Sequence, residues 1–81
     1  MNLVKEVMMD TAGGADKISR GFTIGESYSS LQINEIINRT CSTKFNNYTT
    51  TGLFLQIFDT IKEYEQVNNK TIRLYKILNR L

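Results

Sequence analysis

The side chains of this chain that could do chemistry are few, and their spacing argues against catalysis. Histidine is absent and Cys41 is the only thiol, which removes the commonest general base and leaves no zinc site of the usual kinds. No acid pair and no Ser-His or Cys-His set emerges, so neither an enzymatic activity nor a metal or cofactor is expected. Gly13-Gly14 and the stretch Gly21 to Gly25 lack the spacing and the Lys-Ser/Thr of a phosphate loop. Cys41 continues an isoleucine stripe with no activating partner in the sequence, and a packed core thiol is the expectation. What remains is charge. Ten basic residues face eight acidic ones, a net charge of +2, but they are unevenly placed. Residues 62 to 81 hold Lys62, Lys70, Arg73, Lys76 and Arg80 against Glu63 and Glu65. That cluster is either a solvated face or a surface that meets an anionic partner. If the segment is extended, Arg73 and Lys76 fall on opposite faces, so only part of it can serve one partner.

Those cations must be carried by a small scaffold. Eighty-one residues make one domain with a modest core, and 41% apolar content is enough to drive collapse. One cysteine permits no intramolecular disulfide, which a secreted domain of this size would usually need, so a reducing cytoplasm is expected. The first residues show no apolar run of signal-peptide length, and no segment approaches the roughly 20 apolar residues of a membrane span, so a soluble, unprocessed chain without membrane association is expected.

Hydrophobic spacing then places the elements. Leu3, Val4, Val7 and Met8 behind Asn2 predict a first helix near residues 3 to 12, broken by Gly13-Gly14. Ile18, Phe22 and Ile24 predict a short turn of helix followed by an extended piece over 15 to 25. Ser29 and Gln32 have the spacing of a capping box. Ile33, Ile36, Ile37 and Cys41 follow as one stripe, with Gln32, Asn34, Glu35, Asn38 and Arg39 opposite. Residues 42 to 48 are a turn. Thr49 to Thr51 offer an N-cap for a third helix over about 50 to 62, with Phe54, Ile57, Phe58 and Ile61 as its buried stripe, widened by Leu53 and Tyr64. Tyr28 and Tyr48 read as packing or capping residues. Tyr64 to Val67 and Thr71 to Leu78 flank Asn68-Asn69-Lys70 and predict a terminal hairpin.

Helix, short extended piece, helix, turn, helix and hairpin is the order of a winged helix-turn-helix, an α+β and mostly α class. Residues Tyr28 to Ile37 look like the entry to the second helix of small winged-helix proteins, and Glu65 to Ile77 resemble their wing. The resemblance covers residues 28 to 78 as the winged-helix core. Residues 1 to 27 fit as the first helix and connection and 79 to 81 as a tail, all in one domain. The resemblance implies a third helix entering a duplex DNA major groove while the two-stranded wing meets backbone or minor groove. Carried over by position, the base-edge candidates are Thr49, Thr50, Thr51 and Gln56, and the phosphate candidates are Lys44, Asn69, Lys70 and Arg73. Asp59 on the third helix would oppose DNA, and an excess of two charges implies weak binding by a monomer. The expected function is therefore a double-stranded DNA-binding regulator of transcription or mobile-element accessory factor. The alternative is a phage-type inhibitor that docks on a nucleic-acid-handling enzyme, favoured by the nearly neutral third helix. A homodimer formed through Leu53, Leu55 or the N-terminal helix is a third reading. No small-molecule substrate is expected.

Overall fold

The computed structural model describes Asp10 and residues 13 to 81. Apart from Asp10, the helix expected over 3 to 12 lies outside the described residues. Gly13 and Gly14 take φ of 95° and 91°, a region open to glycine at little cost, and the chain enters helix α1, Ala15–Ser19, directly behind them. A short helix of this length is held by packing rather than propensity, and its Ile18 is wholly buried. Strand β1, Ser27–Tyr28, follows. Helix α2, Ser30–Cys41, starts on the expected capping box: Ser29 Oγ accepts from the Gln32 amide at 3.2 Å and Gln32 Oε1 accepts from the Ser29 amide at 2.9 Å. Ile33, Ile37 and Cys41 are its buried stripe.

Helix α3, Asn47–Ile57, departs from expectation at both ends. Its N-cap is Asn46, whose Oδ1 accepts from the Thr49 amide at 2.8 Å, so the threonine run lies inside the first turns. Its last residue is Ile57, and strand β2, Phe58–Val67, begins at the next one. The stripe expected to continue through Phe58 and Ile61 is divided between the two elements: Phe58 is buried as a strand residue, and Ile61 is 46% exposed. Strand β3, Lys70–Arg80, pairs antiparallel with β2 along its length. Residues 79 and 80 thus belong to the sheet rather than to a tail, and the Leu81 amide donates to Ile57 O at 2.8 Å. Asn68 and Asn69, at φ of 51° and 65°, supply the two left-handed residues that a tight hairpin turn requires.

The result is an α+β fold in which, among the described residues, three helices pack on a three-stranded antiparallel sheet of order β1-β3-β2. With 10 and 11 residues in β2 and β3, the sheet is much larger than the short hairpin expected from a mostly α chain. One register shift falls between Asp59 and Thr60, where the partner moves from Asn79 to Ile77 and leaves Leu78 as the extra residue of a bulge. The core joins Ile18, Ile33, Ile37, Cys41, Leu53, Phe54, Ile57, Phe58, Tyr75 and Ile77. At its centre the Phe54 ring meets those of Phe22, Phe58 and Tyr75 at 5.0, 5.1 and 6.3 Å between centroids. Tyr28 packs on the same group, 5.0 Å from Phe22, and its hydroxyl accepts from the Thr23 amide at 2.9 Å.

Candidate nucleic-acid interface

The period of two along a strand sorts the side chains of the β2–β3 ribbon onto two faces. Cross-strand pairs Thr60 with Ile77, Lys62 with Tyr75, Tyr64 with Arg73 and Gln66 with Thr71 share one face. Because Tyr75 and Ile77 are buried in the core, this is the face turned towards the helices. Ile61 with Lys76, Glu63 with Leu74, Glu65 with Ile72 and Val67 with Lys70 share the other. Ser27, opposite Lys76 in β1, donates to Glu63 Oε1 at 2.5 Å on that outer face. The charges therefore segregate. The inner face carries Lys62, Arg73 and, at its base, Arg80, which pairs with Asp16 of α1 at 2.6 Å, and none of the ribbon's own carboxylates; the outer face carries Glu63 and Glu65 alongside Lys70 and Lys76. Asp59, opposite Asn79 and next to buried Phe58, lies on β2 and not on the third helix.

Where the inner face leaves the body of the protein it forms a cleft with the start of α2, about 260 Å³ in volume and lined by Ser30, Tyr64, Thr71, Arg73 and Tyr75. The Arg73 guanidinium carbon stands 6.0 Å from the Tyr64 ring centroid, within cation–π range. The nearby Tyr75 hydroxyl, and then Tyr64, raise the Arg73 pKa above its already high value.

Helix α3 presents a different chemistry. Thr50, Leu53, Phe54 and Ile57 form its buried side. Tyr48, Gly52 and Leu55, at i, i+4 and i+7, mark the opposite side, with Gln56 exposed beside them. No charged residue lies between Asn47 and Ile57. Tyr48 is 83% exposed, so the packing role expected for it does not hold. Leu53 is wholly buried, which removes it from the expected dimer patch; Leu55 is exposed, and the N-terminal helix offered for the same role lies outside the described residues.

The residues singled out from sequence are thus dispersed. Thr50 has no exposed surface. Its hydroxyl accepts from Asn34 Nδ2 and reaches the Asn46 and Asn47 carbonyls, each at 3.2 Å; it cannot touch a base edge. Thr49 and Thr51 are half-buried, Gln56 is exposed, and Lys44 is exposed in the turn before α3. Asn69 sits at the hairpin tip and Lys70 on the outer face. Only Arg73 lies in the cleft. Ser30, Tyr64, Thr71 and Tyr75 were missed and Lys62 was named only within the basic cluster; the apolar residues of 60 to 67, Ile61, Tyr64 and Val67, recur every three positions, so no alternation places Lys62 and Tyr64 beside Arg73.

Cys41 is buried, and burial raises its pKa, an effect that nearby Lys17 partly offsets. Among the described residues no cluster of His, Cys, Asp and Glu could hold a metal ion, and no helix is long and apolar enough to cross a membrane. Comparisons with family models, curated proteins and solved structures return no match to this chain.

Proposed function

We propose that this protein is a small winged-helix module that binds double-stranded DNA, acting as a regulator or mobile-element accessory factor in the cytoplasm. The observation that carries the reading is the separation of charge across the ribbon: Lys62 and Arg73 stand on a face without carboxylates, and Glu63 and Glu65 are turned away from it. A duplex backbone is attracted to that face and gains little from the mixed one behind it. The element order supports the same reading: β1 lies beside β3, and the β2–β3 ribbon follows α3 as a wing would. Helix α3 would enter the major groove, where Thr49 and Gln56 offer a hydroxyl and an amide group to base edges; the Thr51 hydroxyl is buried and takes no part. Asp59 no longer opposes that entry, since that residue lies on the strand.

The test is a duplex titration at several salt concentrations. The expected slope of log affinity against log salt falls by about 0.9 for each phosphate contact removed. It should therefore shrink for Lys62→Gln and Arg73→Gln and stay unchanged for Lys70→Gln and Lys76→Gln. Equal effects of all four substitutions, or no duplex binding at low salt, would reject the proposal.

A protein-docking role, of the kind a phage inhibitor plays on a nucleic-acid-handling enzyme, is favoured by one observation. Helix α3 is uncharged and exposes Tyr48 and Leu55, and aromatic residues are enriched at protein interfaces. Under that reading Tyr48→Ala abolishes capture of the partner, while Arg73→Gln has no effect.

A further inference from the structure

We propose that the cleft between the start of α2 and the inner face of the ribbon is a socket for a single phosphate group. This deepens the DNA reading, on which it rests for the source of that phosphate, a backbone phosphodiester. At about 260 Å³ the cleft has room for a phosphate group. Its lining is selective by type. Ser30, Thr71, Tyr64 and Tyr75 carry hydroxyls and Arg73 a guanidinium, so every wall offers a donor and none carries a carboxylate. A cation finds no carboxylate among these residues, whereas an anion finds a guanidinium and four hydroxyl-bearing side chains.

Arg73 supplies the charge, and its planar fork matches two phosphate oxygens at once. Its position is set from both strands: Tyr64 is its cross-strand partner and lies within cation–π range, and Tyr75 is its neighbour on the same face of β3. The carboxylates that could compete for it, Glu63 and Glu65, project from the opposite face. Lys62, cross-strand from Tyr75, adds a second positive charge on the same face of the ribbon. The socket therefore lies along the side of the ribbon, not at the Asn68-Asn69 tip.

The experiment follows backbone amide and Arg73 side-chain resonances while inorganic phosphate replaces chloride at constant ionic strength, and then repeats duplex binding with and without phosphate. The expected result is a saturable shift confined to Ser30, Tyr64, Thr71, Arg73 and Tyr75. It should weaken about tenfold in Arg73→Gln and several-fold in Tyr64→Phe, which keeps the ring and removes one hydroxyl. Phosphate should also compete with duplex in the wild type and not in Arg73→Gln, which marks the backbone as the source. Phosphate binding in the cleft without any duplex binding would uphold the socket, make free phosphate its source and reject the DNA reading. Duplex binding with no shift in the cleft residues and no change in Arg73→Gln would overturn the socket and leave the DNA reading standing. Absence of both would overturn both.

Discussion

Asn38 and Phe45 are joined by a reciprocal pair of hydrogen bonds: the Phe45 amide donates to Asn38 Oδ1 and Asn38 Nδ2 donates to the Phe45 carbonyl, both at 2.9 Å. One helical side chain thus replaces a backbone partner for the turn between α2 and α3. Thr43 Oγ1 adds a bond to Asn38 Oδ1 at 2.8 Å, and Asn34 Nδ2 a second one to the Phe45 carbonyl at 2.9 Å. A hydrogen bond is worth on the order of 0.5–1.5 kcal/mol net, and leaving a buried partner unpaired costs more. Asn38→Ala is therefore expected to destabilise the fold by about 2–4 kcal/mol in urea unfolding. Asn38→Asp keeps the acceptor and loses the donor, and should fall between the two. A loss under about 0.5 kcal/mol for Asn38→Ala would show that this network does not hold the turn.

Gly21 is required by close packing between the chain after α1 and helix α2. A Cβ built there would lie 2.5 Å from Ile36 Cγ2 and 2.9 Å from Thr40 Oγ1. Both are short, β-branched side chains with little freedom to move aside. Gly21→Ala is expected to cost about 1–3 kcal/mol, the usual penalty of overpacking, and the double variant Gly21→Ala with Ile36→Ala should recover part of it. An unchanged thermal midpoint for the single variant would contradict the close approach.

Much of this architecture was legible because its signals are local. The Ser29–Gln32 capping box, the Ile33, Ile37, Cys41 stripe and the Asn68-Asn69 turn each depend on residues a few positions apart, and each stands where the spacing placed it. The end of α3 was not legible, because Phe54, Ile57, Phe58 and Ile61 satisfy a helical period and Tyr64 and Val67 continue it at a spacing of three, with no alternation to mark the strand. Pairing decides the outcome. β3 offers β2 partners from Lys70 to Arg80, a long-range term that outweighs local propensity. Asn34 and Asn38 were read as solvent-facing for a related reason. Their polarity hid the fact that they face the α2–α3 turn, where backbone and threonine groups need partners. The cleft was illegible except for Arg73, since its walls come from α2, β2 and β3.

At the hairpin tip Asn69, with φ of 65°, is replaceable by the residue best suited to that conformation. Asn69→Gly is expected to be neutral or stabilising by a few tenths of a kcal/mol, and Asn69→Ala to cost about 1 kcal/mol, because alanine pays for the left-handed region and glycine does not. Thermal unfolding of both variants checks the order. If the alanine variant is the more stable, the tight turn is wrongly assigned.

The Cys41 thiol has a pH signature. Burial raises its pKa, so the neutral form is favoured in the folded state. The linked stability is fully present below the unfolded value of about 8.5 and is lost as pH rises through the folded one. Subtracting the pH profile of Cys41→Ala from that of the wild type should reveal this alkaline loss. Iodoacetamide should alkylate the native thiol far more slowly than the urea-unfolded one. Equal labelling rates would place the thiol at the surface.

Helix α3 hands the chain to β2 without an intervening residue, Ile57 closing one and Phe58 opening the other, both in the core. A joint with no slack works as a ruler: the reach from the helix to Lys62 and Arg73 is a fixed length, and neither arm can adjust independently of the other. If a duplex engages both arms as proposed, the width it must present is set by the backbone before any side chain makes contact.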